Sequence, residues 1–236
     1  MSLKIIVLAK QVPDTRNVGP DAMTPEGTVN RAALPAVFNP EDLNALEQAL
    51  RLKDANPGST ITMLTMGLPK AAEVLKEGIY RGADEGILIS DRPLGGADTL
   101  ATSYTLAQAI KKVGDYDIIL CGRQAIDGDT AQVGPQVAEK LGLTQITYTE
   151  EIISLDKEAK KIVAKRHIDG GVETVEGPLP IVVTVNGSAA PCRVRNVKRV
   201  WANKNREFTT WGAADIDADP AQIGKAGSPT NVKAVK

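Results

Sequence analysis

The strongest constraint on this chain is an alternation of two kinds of segment. Short, mainly apolar runs recur through the first two-thirds: LKIIVLA (3–9), TITMLT (60–65), GILIS (86–90), DIILC (117–121) and IVVTV (181–185). Runs of this length without polar alternation suit strands buried on both faces. Between them lie longer amphipathic stretches. In FNPEDLNALEQALRLKDANPG, Asn39 stands as an N-cap, Pro40 at the first helical position, and Glu41 and Asp42 in an acidic first turn. Leu43, Leu46, Ala49, Leu50 and Leu52 then share one helical face, and Asn56-Pro57-Gly58 ends the helix. Further helices are expected over 68–80, over 97–113 with Asp98 and Thr99 at its start, and over 132–141. Strands alternating with helices predict an α/β, doubly wound domain on a parallel sheet with right-handed crossovers.

The pattern changes after Leu143. Residues 145–155 and 161–168 read as two strands joined by a charged DKEAK turn, and Asp169-Gly170-Gly171 as a further turn. From Gly187 the chain is polar and basic, then rich in Gly, Asp, Ala and Pro. It holds too little apolar material for a core of its own, so residues 189–236 read as an extended C-terminal arm lying on something else, with 1–188 as the nucleotide-binding domain.

Composition removes several function classes. Lys and Arg number 28 against 29 Asp and Glu, so no global field favours a polyanion. With a single histidine, His167, and two widely separated cysteines, Cys121 and Cys192, there is no zinc cluster, His-based triad or disulfide framework. No apolar run approaches the roughly 20 residues of a membrane span, and MSLKIIVLAKQVPD lacks the form of a signal peptide. The chain is therefore expected in the cytoplasm.

Functional interest concentrates in CGRQAIDGDTAQVGP, residues 121–135. It is a polar loop between a buried strand and a helix, where open parallel sheets bind ligands. Its glycines allow close backbone approach, and the following helix offers free N–H groups suited to a pyrophosphate. Thr130 and Gln132 can add hydrogen bonds, whereas Asp127 and Asp129 are better suited to holding the loop. There is no GxGxxG or GxxxxGK[ST], and an ordinary polar connection capped by Asp129 or Thr130 would read alike. Ala9, Asn39-Pro40 and Met66-Gly67 converge on the same sheet edge.

This loop resembles the adenine-nucleotide loop of the beta subunits of electron transfer flavoproteins. The resemblance extends through KIIVLAKQVPD, FNPEDLNALEQALRLK, the RGAD turn, HIDGGVET and LPIVVTV, about the first 190 residues. It implies a fold of the adenine nucleotide hydrolase-like kind and a heterodimer with an alpha subunit that carries the electron-transferring FAD. It also implies an adenine nucleotide bound at Ala9, Asn39, Pro40, Glu41, Asp42 and Met66, and along the loop. The loop positions are Arg123, Gln124, Ala125, Ile126, Asp127, Gly128, Asp129, Thr130, Ala131, Gln132, Val133 and Gly134.

In ordinary members that nucleotide is a structural AMP. In electron-bifurcating members it is a second FAD, which takes electrons from NADH for an acyl-CoA or related dehydrogenase and for ferredoxin or flavodoxin. Family members with AMP resemble AIDDDCNQT where this chain has AIDGDTAQV. Gly128 in place of an acid gives more room and less negative charge, which favours FAD. Thr99 and Thr102 are expected near the flavin or as helix-capping residues. The flavin carries the redox chemistry, so the chain works only with its alpha subunit and needs no acid–base residue of its own. His167 reads as a strand-end histidine. PCRVRNVKRVWANK (191–204) falls where the family has a dehydrogenase-docking loop, although PCR stands here where such members resemble PRY. Arg193, Arg195, Lys198 and Arg199 read as a basic cluster for an acidic partner or as a solvated helix face, and Trp201 and Trp211 as interface anchors.

Overall fold

The computed structural model describes residues 2–14 and 35–230. Residues 15–34 of the polar stretch between the first strand and the NPED helix fall outside them, as do Met1 and the last six residues of the arm. Among the described residues the sheet has nine strands. Its parallel centre is built from β1 (Lys4–Leu8), β4 (Thr60–Met66), β5 (Glu85–Ile89), β6 (Ile118–Gly122) and β10 (Ile181–Val185). Their order is β5-β4-β1-β6-β10, and all of these pairs are parallel.

Both faces of the centre are covered, which explains why the strands read as continuous apolar runs. Ile5, Val7, Ile118, Leu120, Ile181 and Val183 face one core with α1 (Pro40–Ala55) and α2 (Ala72–Arg81). Ile6, Leu8, Ile119 and Val182 face the other, with α3 (Thr99–Val113) and α4 (Val133–Leu141). Period-two alternation therefore sorts one strand between two cores.

The sheet continues past this centre at both edges. β7 (Thr144–Asp156) runs parallel to β10 through its first half and antiparallel to β8 (Lys161–Ile168) through its second. Its register shifts between these halves, and Tyr148 there has a φ of 58°. β9 (Gly171–Pro178) adds a third antiparallel strand after the Asp169-Gly170-Gly171 turn. Its alternation GVETVEGP carries little apolar signal, and the sequence reading leaves it out. β2 (Gln11–Pro13) and β3 (Ala36–Phe38) pair as a small separate hairpin.

The C-terminal segment has its own regular elements. α5 (Val197–Asn203) packs on α2, and β11 (Thr209–Trp211) adds a parallel edge strand beside β5. Ile216 and Ile223 are buried in the α3–α4 core. As its composition implies, the segment has no core of its own. Through residue 230 it is anchored on this chain's sheet and on α3.

Candidate functional site

The chain passes from β1 outward to β4 and β5, then returns to β6 on the other side of β1. The connections leaving β1 and β6 diverge, so a crevice opens beyond their carboxyl ends. A cavity of about 310 Å³ lies there. Leu8, Leu64, Met66, Leu106 and Val133 give it apolar walls, and Asn39, Asp42, Thr99, Thr102, Gln124 and Thr130 give it polar ones. Its size and mixed lining are those of a small-ligand site, at the low end of the usual ~300–1,000 Å³.

The first turn of α1 holds the loop in place from behind. Asn39 occupies the N-cap position, but its side chain does not cap the helix. Instead its Nδ2 donates to the Gln124 carbonyl at 2.9 Å, and its Oδ1 accepts from the Ile126 amide at 3.2 Å. Glu41 accepts from the Gln124 amide at 2.9 Å and pairs with the Arg123 guanidinium at 2.9 Å. Asp42 accepts from the amides of Lys10 and Gly122, each at 2.8 Å, tying the ends of β1 and β6 together. Burial pushes the Asp42 carboxyl up to about 7, against the lowering effect of those two amides. The NPED segment thus satisfies the loop's backbone donors, which a polar chain beside a core requires.

The glycines divide into two kinds. A Cβ on Gly122 would lie 2.5 Å from Asp42 Oδ1 and 2.8 Å from the backbone of α1. One on Gly134 would lie 2.6 Å from Thr184 and 2.9 Å from Cys121. Both are needed by the protein's own packing, and both also line the cavity. A Cβ on Gly128 would meet nothing within 4 Å, and Gly128 lines the cavity. Neither packing nor a positive φ demands glycine there. The bends of the loop fall instead at Asp129 and Ala131, with φ of 48° and 52°. For Ala131 this costs about 1–2 kcal/mol.

Two further helices begin at the cavity. Asp98 caps α3 through the amides of Leu100 and Ala101 at 2.9 and 3.1 Å. α4 opens with Val133 and Gly134, both on the cavity wall, and its first-turn amides lack intrahelical acceptors by geometry. Thr99 Oγ1 lies 2.8 Å from Gln132 Oε1 and links the two helix starts by a hydrogen bond. Two positive dipole ends therefore border one cavity, an arrangement that favours a bound anion.

Of the residues singled out in the sequence, Ala9, Asn39, Asp42 and Met66 lie on the wall, with Gln124, Ala125, Gly128, Asp129, Thr130, Val133 and Gly134 from the loop. Thr99 and Thr102 lie there too. Pro40, Glu41, Arg123, Ile126, Asp127, Ala131 and Gln132 are outside this lining. Cys121 is buried against Gly134, and its thiol is pushed up by burial and by the Asp42 charge. Lys10 also lines the cavity and pairs with Asp127 at 2.7 Å. The sequence analysis passes over Lys10, although its place directly after Ala9 at a central strand's end marks it.

Elsewhere the structure redistributes expected roles. His167 is exposed on β8, with Nδ1 3.2 Å from Glu150 Oε1, away from the cavity. Three of the four basic-cluster residues are engaged within the chain. Arg193 binds Glu47 at 3.0 Å and Asp54 at 2.8 Å, Arg195 binds Glu77 at 2.6 Å, and Arg199 donates to the Ala83 carbonyl at 3.1 Å. Three apolar side chains of this region stand exposed beside Arg195, Asn196 and Lys198: Val194 is 86% exposed, Val197 81% and Trp201 74%. Trp211 packs against the α3–α4 core. Among the described residues no His, Cys, Asp and Glu group could hold a metal, and no helix is long and apolar enough to cross a membrane.

Comparison with known proteins agrees with this architecture. A family model described as the electron transfer flavoprotein domain matches residues 26–216. The electron transfer flavoprotein subunit beta of Megasphaera elsdenii is 47% identical over 239 residues, covering 99% of this chain and 87% of that protein. The caffeyl-CoA reductase-Etf complex subunit CarD of Acetobacterium woodii is 46% identical, covering 98% of this chain and 86% of its own. The acryloyl-CoA reductase electron transfer subunit gamma of Anaerotignum propionicum is 43% identical, with 98% and 86% covered. With such coverage at such identity, the chain belongs to the electron transfer flavoprotein family, as one of its beta subunits.

Proposed function

We propose that this chain, with its alpha subunit, forms an electron-bifurcating flavoprotein and holds FAD in the cavity at the ends of β1 and β6. NADH is the electron donor. The acceptors are a dehydrogenase of the acyl-CoA class and a low-potential carrier such as ferredoxin or flavodoxin. The residues present fit an adenine nucleotide. Apolar walls from Leu64, Met66 and Leu106 suit a flat ring, and the Val133 and Gly134 amides suit a phosphate. When bound, the flavin supplies the redox chemistry. The chain's part is to bind and orient it, with Asn39, Glu41 and Asp42 keeping the loop rigid.

The observation that carries the choice of FAD over AMP is Gly128. Neither the backbone nor the packing needs glycine at this point of the wall, so a ligand's demand for room and low charge is left as its reason. Two relatives whose names place them with caffeyl-CoA and acryloyl-CoA reductases support the same reading. The modest cavity volume favours a second reading, a structural AMP in a simple electron carrier. Under either reading residues 189–236 form the partner-docking part. Val194, Val197 and Trp201 meet the dehydrogenase, and the arm extends to the alpha subunit.

Gly128→Asp tests the choice. Co-expressed with the alpha subunit, this variant is expected to lose one of two bound FAD, while its nucleotide-stripped form unfolds at the same temperature as the stripped unaltered complex. Unchanged FAD content would remove the steric argument.

A further inference from the structure

The cavity wall carries an imbalance of charge. Asp42, Asp98 and Asp129 line it, and among the described residues Lys10 is the single Lys or Arg of the lining. Each of those carboxylates is already engaged: Asp42 with two amides, Asp98 with the start of α3 and the Thr230 amide, Asp129 with Gln124 Nε2 at 2.8 Å. An anionic ligand entering here meets amides and helix dipoles but one mobile countercharge. The Lys10 side chain is 48% exposed, and its ammonium reaches across to Asp127. The Asp127 side chain is only 7% exposed, so this pair is worth more than a surface one and its exchange has to be offset by the incoming anion. Exchanging Asp127 for a phosphate oxygen trades one charge-assisted bond for another, and Asp127 keeps a further interaction when the ammonium leaves.

We propose that Lys10 is the phosphate-discriminating residue of the cavity, exchanging Asp127 for the phosphate of the bound adenine nucleotide. This rests on the cavity being the nucleotide site. The Lys10 backbone is fixed by the hydrogen bond from its amide to Asp42, so the side chain pivots from a rigid base at the end of β1. Asp127 is hydrogen-bonded or paired beyond Lys10 as well, so the loop does not depend on this one contact.

The test uses the complex with the alpha subunit, stripped of nucleotide, and two probes that differ only in the phosphate: AMP and adenosine. Each is titrated by calorimetry at low and high sodium chloride. In the unaltered complex AMP is expected to bind more tightly than adenosine, with an advantage that shrinks as salt rises. Lys10→Gln is expected to weaken AMP roughly tenfold, to leave adenosine unchanged and to flatten the salt dependence. Asp127→Asn releases the ammonium without removing it, and is expected to strengthen AMP about two- to threefold.

Equal weakening of AMP and adenosine in Lys10→Gln would make Lys10 a latch for the loop and overturn the proposal. So would a loss of AMP binding in Asp127→Asn, which also decides the matter if the lysine variant does not fold. If the unaltered complex binds neither probe and no FAD, the nucleotide reading of the cavity fails, and the role of Lys10 with it.

Discussion

Two polar, glycine-bearing regions of this chain are held in opposite ways. The loop over 122–134 is fixed by short-range geometry: three side chains from one helix turn, Asn39, Glu41 and Asp42, accept from the amides of Ile126, Gln124 and Gly122. The C-terminal segment is fixed from a distance. Arg193 reaches Glu47 and Asp54 on α1, β11 pairs with β5, and Ile216 and Ile223 fill the second core. The first arrangement gives a rigid wall for a ligand, because the amides of Gly122, Gln124 and Ile126 each have one fixed partner. The second gives attachment by a few apolar anchors and by ion pairs that range from Arg193 on the buried Glu47 to the exposed Arg195 on Glu77, and leaves Val194, Val197 and Trp201 outward.

The anchors of the second region should matter most to stability. Ile223→Ala empties a 3%-exposed site and is expected to cost about 2–5 kcal/mol, read as a lowered urea midpoint of the complex. Nucleotide content should stay intact, and its loss would mean that the two regions are not separate. Asp42→Asn turns one acceptor into a donor facing a backbone amide, at a cost of about 1–3 kcal/mol. Here nucleotide should be lost together with stability.

Gly122→Ala and Gly128→Ala sharpen the contrast within the loop. The former drives a Cβ into α1 and is expected to destabilise by about 1–3 kcal/mol. The latter projects into open space and should stay within about 0.5 kcal/mol. Equal effects would show that the loop relaxes rather than resists.

Asp42 also predicts a pH signature. Its folded value, about 7, lies above its ordinary 3.8, so between these values the folded chain holds a proton that the unfolded chain releases. The stability due to this group is complete below about pH 4 and is lost as pH rises through 7. Urea midpoints at pH 5 and pH 7.5 should differ less in Asp42→Asn than in the unaltered complex. The smallest effect belongs to Arg195→Ala, whose side chain is 58% exposed where it meets Glu77. A change below about 0.5 kcal/mol is expected there, and a larger one would show that the segment depends on its ion pairs.

The same contrast decides what the sequence alone conveys. The central strands and α1, α3 and α4 follow from apolar runs and Asn, Asp, Pro and Gly punctuation, signals local to each element. The loop's place at a strand end before a helix follows too, as does its meeting with Ala9, Asn39 and Met66. The purpose of its parts does not. Asn39 reads as a cap, and the packing demand on Gly122 does not show, because their partners, Gln124 and Asp42, lie 85 and 80 residues away in sequence. β9, α5 and β11 are unread for a related reason: their stability comes from β8, α2 and β5 rather than from their own patterning. The basic cluster reads as a partner surface until Glu47, Asp54 and Glu77 come beside it.

The central claim is that the cavity between β1 and β6 holds FAD. Nucleotides released by acid from the co-expressed heterodimer and separated by chromatography test it directly. The account predicts two FAD and no AMP per heterodimer. One FAD with one AMP would contradict it and make this chain the structural half of a simple electron carrier.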